Sequence, residues 1–298
     1  MTERLDGAPV ARAILAGLSG RLEAGITQKR WPAPTLVSVQ VSATSPFSVY
    51  LRNQARIAVQ VGIQFETTVL SPDVTAASLA RRLAALEEDE TVDAVLLEHP
   101  LPGHLDYEGA VSHLSAEKDV DGVSPLNLGL LFAGRPIQVP AVARAAIAIV
   151  RHYAVPLAGA RVAVVGRSAS VGLPLARLLL GRGADADATV VIAHSRTPDL
   201  ASALAGSDVI FSCAGQPHLL TRENVPRGCT IVDIGLSAVP DPTRPSGVRS
   251  VGDADPASLE GWAARVTPVP GGVGPVTVAE LMGNVVWAWE SRHTGSTP

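Results

Sequence analysis

The stretch Arg161-Val162-Ala163-Val164-Val165-Gly166-Arg167-Ser168-Ala169-Ser170-Val171-Gly172 decides the fold. Its first five residues read as an apolar-rich strand, Gly166 breaks it, and Leu173 to Leu180 continues with apolar residues at helical spacing. Strand, glycine turn and helix in that order open a doubly wound parallel sheet. A dinucleotide's pyrophosphate needs unobstructed backbone N–H groups at a helix N-terminus, and Gly166 to Gly172 can supply them. Ser168 stands where the second glycine of a GxGxxG turn would be, and the last spacing is one residue longer. The same glycines therefore also admit a plainer reading, in which they only tighten the turn.

Working outward, Thr189 to His194, Asp208 to Cys213 and Thr230 to Ile234 read as the next three strands of this sheet. The end of the first of them, His194-Ser195-Arg196-Thr197, decides which dinucleotide suits it. An NAD site usually carries an Asp or Glu there for the ribose hydroxyls, whereas an NADP site offers small polar and basic groups to the 2′-phosphate. With Arg167 on the glycine turn and no carboxylate in the run, the pattern favours NADP. A solvated strand end is the alternative.

Upstream, Pro9 to Ala24 reads as a helix, Thr35 to Val41 as a strand, and Ser48 to Gln60 as a second amphipathic helix. Phe65 to Val69 and Thr91 to Leu97 read as strands, with Ala76 to Leu86 a helix between them. The fold class is α/β. A Gly/Pro-punctuated stretch ends near residue 140, Val142 to His152 reads as a helix leading away, and Val276 to Arg292 closes the chain as a helix. The expected organisation is a substrate domain over 1–140, a Rossmann-like cofactor domain over 141–275, and a terminal helix over 276–298.

Composition narrows the function classes. The 298 residues carry 24 Lys plus Arg against 28 Asp plus Glu, and no basic run offers a footprint for nucleic acid. Cys213 and Cys229 fall outside any CxxC or Cys/His ligand pattern, which suits a reducing compartment and speaks against a metal site. The charged N-terminus is no signal peptide, and no apolar run reaches the ~20 residues that span a bilayer. A cytoplasmic enzyme acting on a small molecule, away from membranes, is the expectation.

Three segments of the remaining sequence carry candidate chemistry. Tyr50 and Gln54 lie one turn apart on the second helix, so Tyr50 faces either a cleft or a half-buried interface. Lys118-Asp119-Val120-Asp121-Gly122 sets two carboxylates two residues apart, either to bind the donor-rich edge of a heterocycle or to solvate a loop. Thr267 to Thr277 holds three glycines and three prolines, which points to a rigid loop lining a site rather than a connector to the last helix.

Taken together, these segments resemble the bifunctional methylenetetrahydrofolate dehydrogenase/cyclohydrolase family, in order across nearly the whole chain. Tyr50 with its helix, His99-Pro100-Leu101-Pro102, Lys118 to Gly122, Val165 to Gly172, His194-Ser195, Val232-Asp233-Ile234-Gly235, Val251-Gly252-Asp253 and Pro268 to Thr277 each look like a family segment. The resemblance implies an N-terminal domain and a Rossmann domain forming a cleft, a final helix returning to the first domain, and a homodimer. It implies a tetrahydrofolate derivative bound by Tyr50, Asp121, Pro268, Gly271, Gly272 and Thr277. It likewise implies NADP on Gly166, Arg167, Ser168, Gly172 and Ser195, with the nicotinamide near Ile234 and Gly235. Tyr50, Gln54, Glu98 and Asp121 fall at the catalytic positions.

The departures are as informative. The family helix reads Tyr-Val-x-x-Lys-x-Lys, and its first lysine is the acid/base of the cyclohydrolase step; the matching residue is Gln54, whose amide takes no proton at neutral pH. The glutamine that contacts that lysine in the family is matched by Glu98, and the family's Pro-Cys-Thr-Pro by Ile137-Gln138-Val139-Pro140. His99 stands for a leucine and reads as a packed histidine rather than a catalytic one. Three functions fit this pattern: a folate dehydrogenase with a weak or lost cyclohydrolase step, an oxidoreductase retuned to another carbon–nitrogen substrate with Glu98 as base or cation partner, and a non-catalytic NADP- or folate-binding relative.

Overall fold

A computed structural model describes residues 1–41, 48–244 and 247–295, and for residues 48–50 the backbone only. The first half runs β1 (Glu3–Arg4), α1 (Gly7–Glu23), β2 (Thr35–Val41), α2 (Ser48–Val61), β3 (Gln64–Leu70), α3 (Ala76–Glu88), β4 (Ala94–Leu97), α4 (Tyr107–Val111) and α5 (Pro125–Phe132). Then come α6 (Ala141–His152), β5 (Arg161–Val165), α7 (Gly172–Leu179), β6 (Thr189–Ala193), α8 (Leu200–Leu204), β7 (Val209–Ser212) and β8 (Thr230–Asp233). The chain finishes with β9 (Ser237–Pro240), β10 (Val248–Val251), α9 (Pro256–Leu259), β11 (Arg265–Val266) and α10 (Val273–Thr294). Side-chain caps start several of these helices: Thr75, Asp106, Ser124, Asp199 and Asp255 each accept a backbone N–H from the first turn that follows. No helix among the described residues is long and apolar enough to cross a membrane.

Two compact units are formed. One comprises Met1–Ala11 and Val142–Thr277; the other comprises Arg12–Ala141 and the chain from Val278 on. The first eleven residues thus group by their contacts with the later strands. Their reason is backbone pairing: β1 adds to the edge of β11 in parallel register, Glu3↔Arg265 and Arg4↔Val266. Leu5 is fully buried, and the Thr2 hydroxyl donates to Ala263 O at 2.9 Å.

In the unit holding β2 to β4, three parallel strands lie in the order β3-β2-β4. Strand alternation gives the sheet two apolar faces. Leu36, Ala94 and Leu96 pack with Leu18 and Leu22 of α1, Ala58 and Val61 of α2, and Met282, Val285 and Trp289 of α10. Val37, Val39, Val95 and Leu97 pack with Leu79, Leu83 and Leu86 of α3 and Val111 of α4. Each buried Leu or Val contributes roughly 1.5–3 kcal/mol over an exposed one. A satisfied polar network lies inside this core. Asn284 of α10 donates to Val120 O and Val139 O, Gln138 donates to Asn284 O and Glu117 O, and Asn127 donates to Ala116 O and Asp119. Gln138 is 1% exposed, so its place in the sequence answers to this network.

In the other unit six strands lie in the order β1-β11-β8-β7-β5-β6, every neighbour parallel. The chain passes from β5 to β6 on one side and to β7 on the other, which makes the carboxyl ends of β5 and β7 a topological switch point. The antiparallel pair β9 and β10 stands apart as a two-stranded sheet. Helix α10 begins at Val273, four residues before the end of the Pro268–Thr277 segment that the sequence reads as a loop. Pro275 is compatible with that helix because it sits in the first turn, where a backbone N–H has no intrahelical partner.

Candidate functional sites

The β2–β4 unit gathers polar groups at the carboxyl ends of its strands. The face carrying Leu36 and Leu96 becomes polar two residues further along, where Ser38 and Glu98 take the same side. The Ser38 hydroxyl donates to Glu98 Oε1 at 2.9 Å. Gln54, on the α2 face that also presents Ala58 and Val61, is 2% exposed, and its amide oxygen accepts no hydrogen bond among the described residues. Burial and the negative charge of Asp121 push the Glu98 carboxyl up to about 7, against the Ser38 hydrogen bond. Burial and Asp119 likewise push Asp121 up to about 7.

The Lys118–Gly122 motif divides its labour. Lys118 Nζ donates to Leu86 O, Glu87 O and Asp89 O, so it caps the carboxyl end of α3. Asp119, 2% exposed, accepts from Gly122 N, Ser124 N and Asn127 Nδ2 and holds the loop. Asp121 alone turns to the polar cluster, within hydrogen-bond reach of the Tyr107 hydroxyl, which also meets Leu97 O at 3.2 Å. The His99 ring stacks on Tyr107 with centroids 3.6 Å apart, and desolvation pushes its pKa down, which favours a neutral ring. The side chain of Tyr50 lies outside the described residues.

Ser38 and Tyr107 escaped the sequence reading. Ser38 did leave a signal as a small polar residue in the otherwise Val-rich strand Thr35-Leu36-Val37-Ser38-Val39-Gln40-Val41. Tyr107 left none beyond its cap, Asp106.

The raised Glu98 carboxyl has a consequence for stability. A carboxyl whose folded pKa exceeds its unfolded one costs the fold nothing at low pH and progressively more as pH rises from 4.5 through about 7. Glu98→Gln is therefore expected to stabilise the protein by on the order of 2 kcal/mol near pH 8 and to be nearly neutral near pH 4. Unfolding curves for both proteins at the two pH values check this. A gain that is larger in acid contradicts it.

The nucleotide-type turn occupies the switch point in the other unit. Gly172 opens α7 so close to the strand end that a Cβ there would lie 2.4 Å from Gly166 O, and a Cβ on Gly166 would lie 2.6 Å from Cys213 Sγ. Ser168 Oγ accepts from Val171 N at 3.2 Å and Gly172 N at 3.3 Å, fixing the turn. Arg167, Ser168, Ser195 and Arg196 are exposed around it. His194 to Thr197 form a closed turn, with Thr197 N donating to His194 O at 2.8 Å and Arg196 N to His194 Nδ1 at 3.1 Å. A glycine cradle, two exposed guanidinium groups and the absence of any carboxylate in these two turns suit a dinucleotide bearing an extra phosphate.

Beside this turn, two buried carboxylates tie the loops together. Asp253 accepts from Ser212 Oγ at 2.7 Å and from Ala214 N and Gln216 N at 2.8 Å each. Asp233 accepts from Gly235 N and Asp253 N at 3.0 Å each and from Ala254 N at 2.8 Å. Ile234, half-buried, is held by a bond from its N–H to Ser212 O. Pro268, Val269 and Pro270 line a cavity of about 490 Å³ with Asp233 and Gly252. Gly272 N donates to Pro268 O, Gly271 O accepts from Gly7 N at 2.8 Å, and no Cβ fits on Gly272 beside Pro268 O. Thr277 is buried, its hydroxyl donating to Val273 O within α10.

Comparisons with known proteins agree with this geometry. Residues 140–293 match the NAD(P)-binding domain of tetrahydrofolate dehydrogenase/cyclohydrolase, and residues 5–121 match its catalytic domain. The chain is 40% identical over 288 residues to the bifunctional protein FolD of Chloroflexus aggregans, covering 97% of each. It is also 40% identical over 299 residues to that of Nocardia farcinica, covering 99% of each. Among solved structures it resembles a silkworm (Bombyx mori) 5,10-methylenetetrahydrofolate dehydrogenase, with TM-score 0.91, 33% identity, and 99% and 100% of the two chains covered. It also resembles the Trypanosoma brucei methylenetetrahydrofolate dehydrogenase-cyclohydrolase complexed with NADP cofactor and inhibitor, with TM-score 0.92, 34% identity and 99% of each chain covered. A match over both domains and at this identity has one meaning: the chain belongs to the tetrahydrofolate dehydrogenase/cyclohydrolase family.

Proposed function

We propose that this protein is an NADP-dependent methylenetetrahydrofolate dehydrogenase whose cyclohydrolase step is weak or lost. When bound, NADP supplies the hydride acceptor. Gly166, Arg167, Ser168, Gly172 and Ser195 would hold it, with Ile234 and Gly235 toward the nicotinamide. Asp121, and Tyr50 by the resemblance, would orient the folate, because a donor-rich heterocycle edge suits a carboxylate. Hydride transfer asks the protein for alignment more than for proton transfer, so it does not depend on a basic residue on α2.

The observation that carries the second half of the proposal is Gln54. It stands where the resemblance places a lysine, is 2% exposed, and has an amide that neither donates nor takes up a proton as an acid/base catalyst must. Purified protein is expected to reduce NADP with methylenetetrahydrofolate and to accumulate the methenyl product. Gln54→Lys, alone or with Glu98→Gln, is expected to raise hydrolysis of that product by about a hundredfold, the usual size of one general acid/base. Wild-type hydrolysis keeping pace with NADP reduction would refute the lost step; absence of NADP reduction would refute the dehydrogenase.

Glu98 favours a second reading. A half-buried carboxyl raised to about 7 is a base poised at neutral pH, as a substrate with a different carbon–nitrogen centre would use. That reading expects no turnover of methylenetetrahydrofolate and no gain from Gln54→Lys.

A further inference from the structure

The polar end of the β2–β4 sheet face is rich in acceptors. Among the described residues, Glu98 accepts from the Ser38 hydroxyl and Asp121 lies within reach of the Tyr107 hydroxyl, while the buried Gln54 amide oxygen accepts nothing. No cation among the described residues pairs with them. Arg56 of α2 is spent on Asn53 and Gln60 at the surface, Arg52 is exposed, and Lys118 is held by the three carbonyls at the end of α3. The His99 ring stacks on Tyr107 and is disfavoured as a cation by partial desolvation. Asp119 spends its oxygens on the loop it holds. A half-buried carboxylate without a counter-ion is costly, and a ligand bearing positive charge relieves it.

We propose that Glu98, with the Gln54 amide oxygen on the same sheet face, is the counter-charge for a cationic ligand, the amidinium that hydride loss leaves on the folate. The inference rests on the dehydrogenase reading above. One C–H bond of the N–CH2–N bridge breaks and its electron pair leaves with the hydrogen to the nicotinamide. The positive charge then spreads over the carbon and its two flanking nitrogens, and no proton is exchanged with solvent. Glu98 thereby becomes a specificity determinant, holding the oxidised folate more tightly than the neutral one.

Ionisation of Glu98 makes this measurable. Its carboxyl is raised to about 7, so at neutral pH it is about half protonated, and a cation that prefers the carboxylate drives the proton off. Asp121, itself raised to about 7, and Tyr107 face the same cluster, so the released proton is assigned to Glu98 by comparing the difference between ligands with that in Glu98→Gln.

The test is calorimetric titration of the whole protein, without NADP, with methenyltetrahydrofolate and with tetrahydrofolate. Titrations near pH 7 in two buffers of different ionisation enthalpy count the protons. The expected result is about half a proton more released with the cation than with tetrahydrofolate. In Glu98→Gln that difference should vanish and affinity for the cation should fall about tenfold, while affinity for tetrahydrofolate changes less than about twofold. Equal proton release for both ligands in the unmodified protein overturns the proposal, and this arm needs no variant to fold. Undiminished binding of the cation by Glu98→Gln overturns it as well. Tetrahydrofolate binding without preference for the cation removes this inference alone, whereas failure to bind either folate removes the dehydrogenase reading with it.

Discussion

Asp253→Ala is expected to lower the unfolding temperature by on the order of 10 °C and to abolish NADP binding. Asp253 is fully buried and accepts three hydrogen bonds, from the Ser212 hydroxyl and from the N–H groups of Ala214 and Gln216. Truncation leaves all three donors enclosed without an acceptor, at a cost of roughly 1–3 kcal/mol each before relaxation. Its own N–H also reaches Asp233 Oδ1, so the loops after β7, β8 and β10 share one pair of carboxylates. Loosening that pair frees Ile234 and Gly235 together. Thermal unfolding and an NADP titration check the result, and an unfolding temperature within about 2 °C of wild type would contradict it. Asp253→Asn keeps one acceptor oxygen and should fall between the two.

Gly172→Ala is expected to weaken NADP binding about a hundredfold while costing roughly 1–3 kcal/mol of stability, the usual penalty for overpacking. Its new methyl would lie 2.4 Å from Gly166 O, 2.7 Å from Gly166 C and 3.0 Å from Arg167 N. All three are backbone atoms of the turn itself, so no side chain can swing aside, and the turn must open. Gly17→Ala in α1 provides the contrast. A Cβ there meets nothing within 4 Å, and the substitution should stabilise by about 0.4–1 kcal/mol with NADP affinity unchanged. Fluorescence or calorimetric titration separates the cases; equal NADP affinity in Gly172→Ala and wild type would show that the turn does not hold the cofactor.

Strands and helices long enough to repeat their pattern were readable in the amino-acid string. The reading predicted Thr35 to Val41 and Arg161 to Val165 as strands, and these are the bounds of β2 and β5. Shorter pieces were not readable, since β1 and β11 have two residues each and no period to display. That is why the pairing of β1 with β11 left no trace in the sequence reading. The β9–β10 pair hid for another reason: Pro240 and Pro242 in and beside it argue against a strand. At the site, residue types announced the Gly166–Gly172 turn. The meeting of Glu98 with Ser38 depends on strand register, which no local motif carries. Lys118 misled in the opposite sense, for its place in a binding motif gave no hint that its ammonium closes a helix.

The course of the polypeptide has a practical outcome for anyone dissecting the molecule. It passes from one unit to the other three times, after Ala11, Ala141 and Thr277. No single cut in the gene can release a self-sufficient half. A free-standing cofactor fragment would have to splice residues 1–11 onto 142–277, and a bulky fusion at the amino terminus would burden the nucleotide side first.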